Sequence, residues 1–315
     1  AQTRAPAYRL AFADRDFLTR EELRPVRLQL ELLKPQLIMD ERGIETTIVM
    51  FGGARIPAPE ARDQAKTKIL AELSHYYEEA RRFARIMTER SLATYGRENV
   101  ICTGGGPGVM EAGNRGADEA GGQSIGLNIV LPHEQAPNAY VTPDLSFNFP
   151  YFAIRKMHFL MRARAVCVFP GGFGTMDEAF EVLTLLQTGK THPFPVVLVD
   201  EPGGTYWTAW RRFLEDSLLN TGMISGEDLS LFRITSNVEE AVREIRGYYR
   251  VFHSMRYVGR NLVIRIRKPL APGTRVSAPG TPSTSRVSSR ATRNSSPAMR
   301  KATPTHSRPA AGSAS

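Results

Sequence analysis

Two stretches of this chain set glycines where a backbone can hold an anion. The first, Ile101-Cys102-Thr103-Gly104-Gly105-Gly106-Pro107-Gly108-Val109-Met110-Glu111, reads as a strand, a tight glycine turn and a helix opening near Gly108. The second, Val168-Phe169-Pro170-Gly171-Gly172-Phe173-Gly174-Thr175, repeats that order, with a helix expected over 175–187. Such a turn aims free backbone N–H groups and the positive end of a helix dipole at one spot, which favours phosphate. A single turn of this kind also serves plain close packing of a helix on a strand. The first is not a Walker loop, since no Gly-Lys-Ser/Thr follows, nor a proper Gly-x-Gly-x-x-Gly dinucleotide turn. Two of them at the carboxyl ends of parallel strands make a crevice of the kind in which open α/β sheets bind ligands.

Beside the second loop stands Glu178, and two readings of it are compatible. Thr175-Met176-Asp177-Glu178 is a capping box, in which Thr175 caps the helix and Glu178 reaches back to it. Alternatively Glu178, one turn into a helix whose N-terminus holds phosphate, projects over a ribose and acts on the glycosidic carbon or an attacking water. Upstream, a helix read over 147–164 places Arg155, His158 and Arg162 at i, i+3 and i+7, on one face. That face is either solvated or supplies a ligand cation at Arg155, with Lys156 pointing elsewhere.

The elements that must position these groups follow from hydrophobic periodicity. From Thr46 onward, short apolar runs alternate with long amphipathic stretches. The first run is Thr47-Ile48-Val49-Met50-Phe51, followed by a helix-like stretch over 60–92; others lie at 100–103, 124–130, 165–169, 196–199 and 231–234. Most runs are continuous, as in strands buried on both faces, and the helical segments between them are the crossovers a parallel sheet requires. The expected core is an α/β doubly wound parallel sheet over 46–250. Ahead of it, 14–41 is charged and leucine-rich in a helical pattern interrupted at Pro25 and Pro35, so residues 1–45 read as an N-terminal helical extension. Residues 251–270 extend the core. After Pro269 the composition collapses to Ser, Thr, Pro, Ala and Arg, too poor in large apolar groups to offset ordering entropy, so 271–315 reads as a disordered basic tail.

With 42% hydrophobic and 23% charged residues in 315, the chain has material for a sizeable core. Of its 41 basic residues, seven lie in 271–315 with no acid, leaving 34 basic against 32 acidic elsewhere, a charge of +2. A basic-patch argument for nucleic acid therefore reaches the tail only. No apolar run approaches the roughly 18 residues of a membrane span, and Arg and Asp recur through the first 30 residues where a signal peptide would be apolar. The expectation is a cytoplasmic protein without membrane contact. Cys102 and Cys167 each lie inside an apolar run with no Cys or His at zinc-ligand spacing, and read as core residues rather than metal ligands.

Taken together, Gly104-Gly105-Gly106-Pro107-Gly108-Val109-Met110-Glu111, Arg155-Lys156-Met157 and Pro170-Gly171-Gly172-Phe173-Gly174-Thr175-Met176-Asp177-Glu178 resemble the LOG ("lonely guy") family over roughly 45–250. Its members are cytokinin riboside 5′-monophosphate phosphoribohydrolases and related nucleotide nucleosidases, many formerly labelled lysine decarboxylases. The resemblance implies a Rossmann-like fold without metal or cofactor, and a homodimer or higher homo-oligomer with the site near the subunit interface. It also implies cleavage of a nucleoside 5′-monophosphate to free base and ribose 5-phosphate. By position, Arg155 and Glu178 match the family's catalytic pair. Gly171, Gly172, Gly174 and Thr175 match its phosphate loop, with Gly105, Gly106 and Gly108 facing them.

Two departures concern the base. The chain is longer than the compact plant-type members, and its first strand ends in Phe51-Gly52-Gly53-Ala54-Arg55 instead of a Gly-Ser-Ser turn. It looks more like the larger bacterial branch, for which AMP or other purine and pyrimidine monophosphates are as good a substrate expectation as cytokinin precursors. Arg55, Asn128, His133 and Glu134 are candidates for base or ribose contacts. Rival readings are a nucleotide-binding carrier or sensor without turnover, a decarboxylase needing a pyridoxal phosphate lysine at Lys156 or Lys190, and nucleic-acid binding through the tail.

Overall fold

A computed structural model describes residues 1–131, 136–258 and 261–268. In chain order these form α1 (Arg15–Leu18), α2 (Arg24–Glu41), β1 (Thr47–Phe51), α3 (Lys68–Glu72), α4 (Ser74–Leu92), β2 (Val100–Thr103), α5 (Val109–Glu119), β3 (Ser124–Ile129), β4 (Ser146–Phe149), α6 (Phe152–Met161), β5 (Ala163–Val168), α7 (Phe173–Gln187), β6 (Val196–Val199), α8 (Tyr206–Phe213), β7 (Arg233–Thr235), α9 (Val238–Val251), β8 (Phe252–Val258) and β9 (Asn261–Ile266).

Strands β1 to β7 form one sheet in the order β4-β3-β2-β1-β5-β6-β7, every pairing parallel. The continuous apolar run of β1 is explained by its central place, for all five residues are buried. Ile48 and Met50 join the core under α4, α5 and α9, while Val49 and Phe51 join the core under α2, α6, α7 and α8. On α4, Tyr76, Tyr77, Ala80, Phe83, Ala84 and Met87 supply the helical-period stripe that docks on the first face. Burying each large apolar side chain contributes about 1.5–3 kcal/mol, so this double-sided packing is what makes the strands hold. Strand order reverses at β1, whose neighbours β2 and β5 send their following helices to opposite faces of the sheet. The crevice of such a fold opens at the carboxyl ends of the strands beside that point.

Several local expectations change. Residues 147–164 are not one helix: β4 takes Ser146–Phe149, and α6 begins only at Phe152. Its alternating Ser-Phe-Asn-Phe, with the phenylalanines buried and Asn148 exposed, is the half-covered pattern of an edge strand. Helix α2 is not broken, for Pro25 sits in its first turn and Pro35 lies within it. Pro35 is buried there, so tertiary contact outweighs the lost backbone hydrogen bond. Helix α2 is tied to α6, where His158 Nε2 lies 3.2 Å from the Glu31 carbonyl and Arg162 donates to the carbonyls of Ile44 and Gln36 and to Asp40. Strands β8 and β9 form a separate antiparallel hairpin. The tail at 271–315 lies outside the described residues.

Candidate active site

Three glycine loops converge at the carboxyl edge of the sheet, after β1, β2 and β5. The loop after β1 is the bridge between the other two. Gly53 donates its N–H to the Pro170 carbonyl at 2.9 Å and accepts the N–H of Val109 at 3.2 Å. Gly108 caps α5 at φ +70°, and a Cβ there would overlap the Gly53 carbonyl, so both its conformation and its close approach demand glycine. Gly105, at φ +71°, lies equally tight against the Asn128 side chain.

Side chains fix each loop from behind. Asn138 Nδ2 donates to the carbonyls of Gly105 and Gly106 and to Asn114 Oδ1, each at 3.0 Å. The fully buried Asn114 in turn accepts from Thr103 and donates to Ser124. With its carbonyls pulled inward, the first loop turns amides outward. The Gly105 amide is already taken, donating to Thr103 Oγ1 at 3.0 Å. On the second loop, Tyr206 grips Gly171 twice: its hydroxyl donates to the carbonyl at 2.5 Å and accepts the N–H at 3.2 Å. The amides left without an acceptor among the described residues are those of Gly172, Phe173, Gly174 and Thr175, with Gly104, Gly106 and Gly108 on the first loop.

Helix α7 is capped by Gly172, without a side-chain cap, and Thr175 lies inside its first turn. The capping-box reading of Glu178 therefore falls: Thr175 is not the cap, and Glu178 is released from that task. Helix α7 starts at Phe173, two residues earlier than expected, and on it Glu178 is buried, only 8% exposed. Burial raises its carboxyl above the ordinary value, with Lys156 and Arg155 opposing the rise. Among the described residues the cation within 4 Å of it is Lys156, whose Nζ lies 3.4 Å away, 2.8 Å from Asp177 and 2.6 Å from Glu181. Lys156 thus faces α7, not away from the site. Burial alone would lower its ammonium, but these carboxylates outweigh burial and hold it above the usual lysine value.

Arg155 is the complementary case. Its Nε donates to the Leu127 carbonyl at 2.8 Å, its guanidinium sits against Gly104 and over the ring of Phe159 at 5.1 Å, and among the described residues no carboxylate lies within 4 Å of it. Burial lowers its proton affinity and Glu178 raises it, so the two groups feel one another across the site. A desolvated cation lacking an anion is costly, and an anionic ligand would relieve that cost. Of the three basic residues expected on one face, only Arg155 reaches this site, since His158 and Arg162 hold α2.

Asn128 is buried, and its amide donates to the Phe147 carbonyl at 3.0 Å and to Ser146, tying β3 to β4 behind the first loop. Arg55 is exposed on the loop after β1. His133 and Glu134 lie outside the described residues. Cys102 and Cys167 are buried on β2 and β5, and burial pushes both thiols up. Sequence reasoning passed over Gly53, Asn138, Tyr206 and the orientation of Lys156. Of these only the Gly52-Gly53 pair carried a local signal, as a third glycine turn after a buried strand.

A family model described as possible lysine decarboxylase matches residues 110–245, which take in Arg155, Lys156, the second glycine loop and Glu178 but begin just after Gly108. A cytokinin riboside 5′-monophosphate phosphoribohydrolase of Mycobacterium tuberculosis is 37% identical over 89 residues, 28% of this chain and 46% of that protein. One of Arabidopsis thaliana is 26% identical over 158 residues, 48% of this chain and 64% of that protein. The chain thus spans less than two thirds of the length of these curated relatives. Among solved structures, a molybdenum cofactor binding protein from Rippkaea orientalis is 18% identical with a TM-score of 0.43, covering 65% of this chain and 98% of that one, a similarity too low to bear on ligand or activity. The resemblance to the LOG family is thus supported over residues 110–245 by this family model and by distant curated relatives.

Proposed function

We propose that the chain hydrolyses the N-glycosidic bond of a nucleoside 5′-monophosphate, AMP or a cytokinin riboside 5′-monophosphate, to free base and ribose 5-phosphate. The observation that carries this reading is the half-buried Arg155 and the buried Glu178 beside free amides of two glycine loops. Phosphate sits on the amides of Gly172, Phe173, Gly174 and Thr175, where the α7 dipole favours negative charge. Glu178, one turn further along α7, meets the sugar. As the C1′–N bond breaks, its electron pair leaves on the base, and the Glu178 carboxylate faces the oxocarbenium-like carbon. Water adds to C1′ and gives its proton to Glu178, and the base gains one in turn. Arg155 supplies a fixed fork of donors to the phosphate or the ribose, which Lys would not reproduce.

The decarboxylase chemistry suggested by the family description does not fit Lys156. A Schiff base needs a neutral amine, and this one is held protonated among three carboxylates. Lys190 is exposed at the end of α7, away from the Gly172 and Glu178 end.

A homo-oligomer is part of the same proposal. Leu30, Leu33 and Leu37 form a stripe along α2 that stays about half exposed, beside the exposed Met161 of α6, and a second copy would cover it. The activity is tested by incubating the chain with a panel of nucleoside 5′-monophosphates and measuring free base and ribose 5-phosphate. Binding without product from any of them would replace hydrolysis with a carrier or sensor role.

A further inference from the structure

The C-terminal hairpin carries a charge pattern that the glycine site does not use. Of the 41 basic residues, 12 lie in 251–315, where there is no acidic residue, leaving 29 basic against 32 acidic in 1–250. The domain bearing the site is thus at −3 and the segment after it at +12. Part of that excess is built into structure. In the β8–β9 ladder Arg256 pairs with Val263 and Ser254 with Arg265, which puts the side chains of Arg256 and Arg265 on one face, and Arg267 follows just after β9 ends. Arg256, Arg265, Arg267 and Lys268 are exposed, and among the described residues none is within salt-bridge distance of a carboxylate. The opposite face is anchored: Met255 and Ile264 are half-buried, the Phe252 ring lies 5.1 Å from that of Tyr248 on α9, and Arg267 donates its N–H to the Val251 carbonyl at 2.7 Å.

We propose that this exposed face of the hairpin docks the sugar–phosphate backbone of a nucleic acid, without reading its bases. Same-face residues along a strand stand about 6.6–6.8 Å apart, and diagonal cross-strand neighbours about 7–8 Å apart. Arg256 and Arg265 are therefore diagonal neighbours, two guanidinium forks each able to take a phosphate from two donors, with the exposed Arg267 just beyond the end of β9. The near-neutral, slightly acidic domain behind them keeps a polyanion on the hairpin. A membrane surface fits less well. Among the described residues the apolar groups on this face are Val258 and Val263, and 271–315 contains no aromatic residue, leucine or isoleucine to enter a bilayer.

The test uses the full chain and a labelled 20-nucleotide single strand, with anisotropy read from 50 to 200 mM salt. Binding should weaken steeply with salt and be indifferent to base sequence. Each phosphate contact contributes about 0.7 to the slope of log K against log salt for a single strand, so R256A/R265A should lower it by about 1.4. R256K/R265K, which keeps the charges, should retain the slope, and equal melting temperatures show that both variants fold. An unchanged slope in R256A/R265A, or no binding by the parent chain, overturns the proposal. So does binding to phosphatidylserine vesicles with none to the oligonucleotide, or a loss of self-association as the sole effect of R256A/R265A. None of these readings depends on whether nucleotides are cleaved.

Discussion

At the residue scale, Glu178 is a carboxylate kept in a place that disfavours its charge. Burial raises its folded-state proton affinity, so between the ordinary carboxylate range and its raised value the folded chain binds more protons than the unfolded one. Stability therefore falls as pH rises through that window, and above it the full penalty of the buried charge is present. Glu178→Gln removes the charge without changing shape. We expect it to melt higher than the parent chain at pH 7.5 and the same at pH 4, read by circular dichroism. The same variant should keep nucleotide binding and lose base release by about 10²–10⁴-fold, the usual worth of a positioned acid or base; undiminished release would remove Glu178 from the chemistry. Lys156 opposes the rise at Glu178, so Lys156→Met should move the acid limb of the kcat/KM profile to higher pH. A limb that stays in place would show that the Lys156 ammonium does not govern that carboxylate.

At the scale of elements, the site depends on where three turns touch. Gly108→Ala puts a Cβ on the Gly53 carbonyl at a positive φ, with a strain of about 1–3 kcal/mol. It should lower the melting temperature and nucleotide affinity together. A Cβ on Gly172 meets nothing, so Gly172→Ala should stay within about 0.5 kcal/mol of the parent by urea melt. Equal losses from both would mean that the loops are not locked as their contacts indicate. Tyr206→Phe leaves the half-buried Gly171 amide without its acceptor, a cost of about 1 kcal/mol. Its expected signature is a rise in KM for the nucleotide with kcat little changed, because it turns the phosphate loop and not Glu178.

At the scale of the whole molecule, the leucine stripe on α2 bears on assembly. Helix α2 is fastened to α6 by His158 and Arg162, so the exposed stripe is carried on a fixed surface and not on a loose arm. Sedimentation of Leu33→Asp should give a smaller species than the parent chain. Identical sedimentation would place any subunit contact elsewhere. Among the described residues, no helix is long and apolar enough to cross a membrane.

Local rules were enough to read the parallel sheet, because buried strands must be continuously apolar and crossovers must be amphipathic, as in Thr47–Phe51 and the Tyr77-to-Met87 stripe. The two glycine turns after buried strands were legible too, since their types and spacing are local. Strand β4 was not, for its four residues merge with the helical periodicity of 152–161 and become a strand only by pairing with β3. Spacing alone left Glu178 between capping and chemistry. Tertiary structure removed the capping role, because α7 begins at Phe173 with Gly172 as its cap, in a loop that meets Gly53 and Tyr206, residues far from it in sequence. Lys156 was misplaced for the same reason: on an isolated helix it is only the neighbour of Arg155, and it becomes part of the site when α7 brings Asp177, Glu178 and Glu181 to it.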